Sequence, residues 1–156
     1  MRGPGLSLTW VLSSLALLAA CGDDDGAAPT GPPERLSQWN LFSDPARQVP
    51  ADGVIPYSVI APLFADFAGK WRFVRLPEGG RITYTPDYVW LFPEGTVLVK
   101  TFSFVSDLRD PSSFERVVET RLLVRTAAGW EPHTYVWNDE QTDAMRVVAG
   151  TRIDVS

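Results

Sequence analysis

The chain has 156 residues and a formal net charge of −5, from 14 lysines and arginines against 19 aspartates and glutamates. That balance argues against nucleic-acid binding and against electrostatic docking on anionic lipid. One cysteine cannot form an internal disulfide, and one histidine leaves any metal site dependent on carboxylates.

Arg2, the apolar run from Leu6 to Ala20 and then Cys21 read as a bacterial lipoprotein signal. The run is about fifteen residues, short of the ~20 that a spanning helix needs. Ala19 and Ala20 are small enough to enter a peptidase, and Cys21 supplies the thiol that takes a diacylglycerol. An ordinary secretory signal is the competing reading, but it leaves Cys21 as an idle thiol in an oxidising compartment. A single acyl chain gives marginal binding, so stable anchoring implies several. Residues 1–20 are therefore expected to be a signal peptide. The mature protein is expected in the bacterial cell envelope, lipid-anchored through Cys21 and facing the periplasm or the surface.

Residues 21–33 read as a tether: the lipid site, then Asp23, Asp24 and Asp25, then Gly, Ala, Thr and Pro without a large apolar side chain. Residues 34–156 are enough for one domain with its own core. Leu36, Trp39 and Phe42 share the spacing of a helical face just after Pro33, which predicts a first short helix. Residues 44–56, with Pro45, Pro50, Gly53 and Pro56, read as an irregular, packed loop. Pro62 to Gly69 reads as a second short helix, opened by proline and stopped by glycine.

After Lys70 the texture changes to short apolar and aromatic runs. These cover residues 71–76, 81–85, 88–92, 97–105, 116–126, 134–138 and 145–148. Breakers such as Pro77-Glu78-Gly79-Gly80, Pro93-Glu94-Gly95 and Ala127-Ala128-Gly129 separate them. The pattern predicts an all-β or β-dominated fold, an antiparallel sandwich or barrel with short amino-terminal helices. Within 116–126 the alternation places Val118, Thr120, Leu122 and Val124 on one face, with Glu119, Arg121 and Arg125 on the other. Thr151 to Val155 reads as a turn followed by a strand in progress, which predicts that the natural protein continues beyond Ser156.

The polar run Asn138 to Asp143 has the oxygen content of a Ca²⁺ loop but lacks the spacing and central glycine of an EF-hand; a turn capped by its own side chains is the plainer reading. His133, without a Gly-x-Ser-x-Gly elbow elsewhere, reads as a strand residue and not as a catalytic base. Arg72, Arg75, Lys100, Glu119, Arg121 and Arg125 fall on neighbouring predicted strands. They suit either a cross-strand charge ladder or, with the tryptophans, a face that docks a partner or a sugar. Trp71, Trp90, Arg121 and Trp137 are the candidate binding residues of that face, with Trp130 beside them. No catalytic or metal-binding residue is assigned.

The ordered segments Leu36-Ser37, Gly53-Val54-Ile55-Pro56-Tyr57, Pro62-Leu63-Phe64-Ala65-Asp66-Phe67-Ala68, Phe92-Pro93 with Gly95-Thr96-Val97, Glu119 to Val124, and Tyr135-Val136-Trp137-Asn138 with Gln141-Thr142-Asp143-Ala144 carry a resemblance. Together they resemble the amino-terminal region of a family of bacterial conserved hypothetical envelope proteins, some of which look like parts of c-type cytochromes. The resemblance implies a haem-attachment Cys-x-x-Cys-His downstream of the region seen here. This chain has no such motif, so a c-type haem would require the protein to continue past Ser156, and no cofactor is assigned within the chain.

The expected function is a non-catalytic envelope module that docks a partner, associated with c-type cytochrome electron transfer. The alternative is a carbohydrate-binding or glycoside-processing domain in which Trp71 or Trp90 stacks on sugar and Glu119 or Asp139 acts as acid or base. Hydrolysis would require a carboxyl pair about 5–5.5 Å or about 6.5–9.5 Å apart.

Overall fold

The computed structural model describes residues 31–110 and 112–148. The signal, Cys21, most of the tether and the strand expected over 151–155 lie outside the described residues.

The described fold is strand-dominated and antiparallel. Strands β1 (Phe42–Asp44) and β2 (Val49–Pro50) pair as a small ribbon. Strands β3 (Val54–Pro56), β4 (Gly69–Arg75), β5 (Val97–Val105), β6 (Glu115–Thr126), β7 (Gly129–Trp137) and β8 (Ala144–Val147) form one sheet in sequential order. The sheet is a meander and does not close into a barrel, so β3 and β8 remain its edges.

Side-chain alternation gives the large sheet two faces. The inner face carries Phe73, Val97, Val99, Leu122, Tyr135 and Trp137, and the amino-terminal segment covers it with Leu36 and Leu41. Trp39, Phe42 and Ala51 close the margin of this core. The ribbon and a single 3-10 turn, Leu36–Trp39, thus stand where a second layer would be. Tyr135 ties them down: its hydroxyl accepts from the Trp39 indole at 2.6 Å and donates to the Pro33 carbonyl at 2.8 Å. Asp143 adds a second anchor by accepting from the Ser37 amide and hydroxyl at 3.0 and 2.7 Å.

Polar groups on the inner face satisfy one another. Thr101 and Thr120 meet across β5 and β6 at 2.8 Å, and the Trp137 indole donates to Thr120 Oγ1 at 2.9 Å. Thr101 and Thr120 are fully buried, where an unpaired hydroxyl is costly and a closed triad is not.

Four local expectations are corrected. Residues 44–56 are not an irregular loop, because β1–β2 and β3 are drawn from them and their neighbours. Pro62 to Gly69 is not helical: Asp66 and Phe67 have φ of 44° and 63°, in the left-handed region. Gly69, which looked like a helix stop, begins β4 opposite Ser103. A Cβ there would stand 2.5 Å from Ser103 Oγ and 2.9 Å from Glu115 Oε1, so the packing of these two side chains over the strand favours glycine.

Residues 81–85 and 88–92 form no sheet strands; their backbones pair at a single bridge between Thr83 and Leu91, with amide–carbonyl bonds of 2.9 and 3.0 Å. With no third strand beside them, two short segments have too little to pack against. Finally, the register between β5 and β6 shifts at Phe102 and Ser103, with Glu119 opposite the first and Val117 opposite the second. Val118 is therefore the extra residue of a bulge. It is still buried, 7% exposed, but stands apart from the main core cluster beside Phe104 and Glu119, and Val117 joins that cluster opposite Ser103.

Candidate functional site

The outer face of the large sheet is built by strand register. Arg72 lies opposite Lys100, and Lys100 lies opposite Arg121, so three cations occupy one row across β4, β5 and β6. Thr134 on β7 and Val147 on β8 continue the row without charge. The next row holds Lys70, Phe102 and Glu119 in the same order. On the other side lies an apolar row of Ile55, Val74, Leu98, Leu123 and Pro132.

Like charges directly opposed on adjacent strands destabilise a sheet. Here Glu119 is the carboxylate that answers them, and it is held in an ion pair by the Arg121 Nε. Among the described residues no carboxylate pairs with Lys70, Arg72 or Lys100. Lys70 donates to the Leu63 carbonyl at 2.6 Å, and Arg72 leans on the Lys70 carbonyl at 3.4 Å. Phe102 serves two cations: the Lys100 ammonium is 4.6 Å and the Arg121 guanidinium 5.1 Å from its ring centre. Burial lowers the Lys100 pKa from its ordinary value, and the charges of Arg72, Arg121 and Lys70 push the same way against Glu119.

Beside Lys100 and Arg121, a groove of about 260 Å³ is lined by Tyr57, Leu98, Leu123 and Pro132. The surface is therefore a cationic row bordered by aliphatic side chains, suited to an acidic group carried on an apolar segment. At one corner Arg125 lies 5.9 Å from the Trp130 ring, which meets Phe92 edge to face.

The four candidate binding residues do not share one surface. Arg121 stands in the cationic row. Trp137 is 6% exposed and belongs to the core, bonded to Thr120. Trp71 points to the inner side, opposite Thr101, at the uncovered end of the sheet. Trp90 sits on the excursion between β4 and β5, edge to face with Tyr84. Of the expected charge ladder, Arg75 lies on the inner face and donates to the Trp39 carbonyl at 2.5 Å. Phe102, Leu98 and Leu123 also belong to this face, and the i, i+2 spacing of Leu98, Lys100 and Phe102 is the sequence signal for it.

The two carboxylates considered for acid–base work are held by different arginines, Glu119 by Arg121 and Asp139 by Arg116. In the Asn138–Asp143 run, Asn138 Oδ1 accepts from the amides of Thr142 and Asp143 at 2.9 and 3.3 Å. Gln141 instead reaches the bulged strand, accepting from the Val117 amide at 2.7 Å and donating to its carbonyl at 3.0 Å. These side chains serve the turn and the bulge. His133 is half-buried beside Trp39, with ring centres 6.0 Å apart.

No protein-family model, no curated protein and no solved structure matches the chain.

Proposed function

We propose that this protein is a lipid-tethered, non-catalytic docking module of the bacterial envelope. Cys21 carries the acyl chains, residues 21–33 hold the domain away from the membrane, and the outer face of the large sheet binds an acidic protein partner. The observation that carries this reading is the row Arg72–Lys100–Arg121, in register across three strands and answered by Glu119 alone among the described carboxylates. Arginine beside aromatic and aliphatic side chains is the composition of an interface anchor. The family resemblance adds the class of partner, an electron-transfer component carrying c-type haem.

Photocrosslinking from Leu123 in intact cells tests the proposal. A discrete adduct is expected, lost when Arg72 and Arg121 are both changed to Glu in a variant that still folds. An adduct that survives both charge reversals, or no adduct at all, would count against a docking role for this face.

A further inference from the structure

A second site lies on the other side of the sheet, at the end of the inner face that the amino-terminal segment leaves uncovered. There the β1–β2 turn approaches β4 and β6, leaving a cleft of about 440 Å³ lined by Arg47, Gln48, Trp71, Phe114 and Glu115. We propose that this cleft binds a neutral, hydroxyl-rich saccharide, independently of docking on the outer face.

Three features converge. Trp71 is 38% exposed, so part of its indole is free to receive a sugar ring, with Phe114 nearby at 67%. Glu115 is a carboxylate without a cation partner among the described residues. Its Oε1 accepts from the Trp71 indole at 3.0 Å and from the buried Ser103 hydroxyl, which fixes the carboxylate over Gly69. The space exists because Gly69 lacks a Cβ, which would stand 2.9 Å from that same oxygen. Oε2 takes no hydrogen bond from a described residue.

Gln48 supplies the third feature. It is 2% exposed, and its Nε2 is committed to the Pro45 carbonyl at 2.6 Å. Its Oε1 is buried with no donor. A buried acceptor left unpaired destabilises the protein, and a small turn of the Gln48 side chain into the cleft would let a ligand's donor pair with it. The cleft therefore sets a carboxylate acceptor beside an aromatic wall, with the Arg47 guanidinium at its rim. Sugar hydroxyls bring donors, and the C–H face of a pyranose suits an indole. Arg47, ion-paired with Asp44 at 3.7 Å, adds donors for sugar oxygens at the rim, and a cation drawn to Glu115 is the competing ligand that the test controls for.

The test is saturation-transfer NMR of the full chain with cellotetraose and chitotetraose at millimolar concentration, with choline as the cationic control. Saturation transfer to at least one saccharide is expected. Glu115→Gln, which keeps the shape of the side chain, should weaken binding about tenfold, the loss typical of a hydrogen bond to a charged acceptor. Trp71→Ala should abolish it, and Trp71→Phe should retain part of it if the fold is kept. Arg121→Glu should leave saccharide binding unchanged, which separates this site from the docking face. The proposal is overturned if neither saccharide binds, if only choline binds, or if binding is indifferent to both Glu115→Gln and Trp71→Phe.

Discussion

Lys100 and Arg121 stand directly opposite each other on adjacent antiparallel strands and share the ring of Phe102. With Arg72 on the far side of Lys100, the central ammonium meets a like charge on both flanks. Such a row lowers stability in the free domain, and an acidic partner that neutralises it converts that cost into binding strength and a fast encounter.

Replacing Lys100 by Glu turns two repulsive cross-strand pairs into two attractive ones. Urea unfolding should show the variant more stable by about 0.5–1 kcal/mol, since each opposed pair is worth roughly 0.2–1 kcal/mol. The same variant should lose the Leu123 adduct. Unchanged or reduced stability would mean that the row is not strained.

Thr120→Val tests the buried triad. It leaves the Trp137 indole without its acceptor and Thr101 without its partner. Each orphaned group costs about 1–3 kcal/mol, and Thr120→Ser should recover most of the loss. Chemical denaturation monitored by tryptophan fluorescence measures both.

Gly69→Ala places a Cβ 2.5 Å from Ser103 Oγ and 2.9 Å from Glu115 Oε1. The hydroxyl is fully buried and has little room to move. A loss of about 1–3 kcal/mol is expected, in the range of other overpacked sites, together with weaker saccharide binding. Thermal unfolding beside the NMR titration would show both effects.

His133 makes the fold acid-sensitive. Burial lowers its pKa from the ordinary value, with Glu131 opposing and Arg146 assisting. Below about 6.5, the ordinary histidine pKa, the unfolded chain therefore binds a proton that the native ring resists. Native stability falls as the pH drops through that value, and the loss levels off once the native ring is also protonated. Denaturant midpoints across this range should fall less steeply in His133→Gln.

Cys21→Ser tests the tether. The variant is expected in the soluble fraction after cell lysis, while the native sequence sediments with membranes. Sedimentation of both would argue against lipid anchoring.

Much of the sheet was legible in the chain. The run 97–105 matches β5, and the alternation of 116–126 is the core-facing pattern of β6 over Thr120, Leu122 and Val124. Periodicity is a local property, and a strand with one buried face writes it directly into the order of residues. The breakers were legible for the same reason, with Gly79, Gly95 and Gly129 all at positive φ.

What the chain could not show by itself depends on partners far along it. Gly69 looked like a helix stop because glycine is one, yet its place was decided by Ser103 and Glu115, which come later in the sequence. Val118 follows the inward alternation and is buried, but the bulge set it apart from the main core cluster when Val117 aligned with Ser103 and Gln141 filled the broken hydrogen bonds. Trp71 and Trp137 are the same residue type on strands of the same sheet, yet one indole is accessible at the end of the sheet and the other is buried in the core and bonded to Thr120. Residue type determined which strands could form and which charges were available. Register and coverage decided that Arg72, Lys100 and Arg121 would stand together, because a one-residue slip on any of these strands would send its cation to the opposite face.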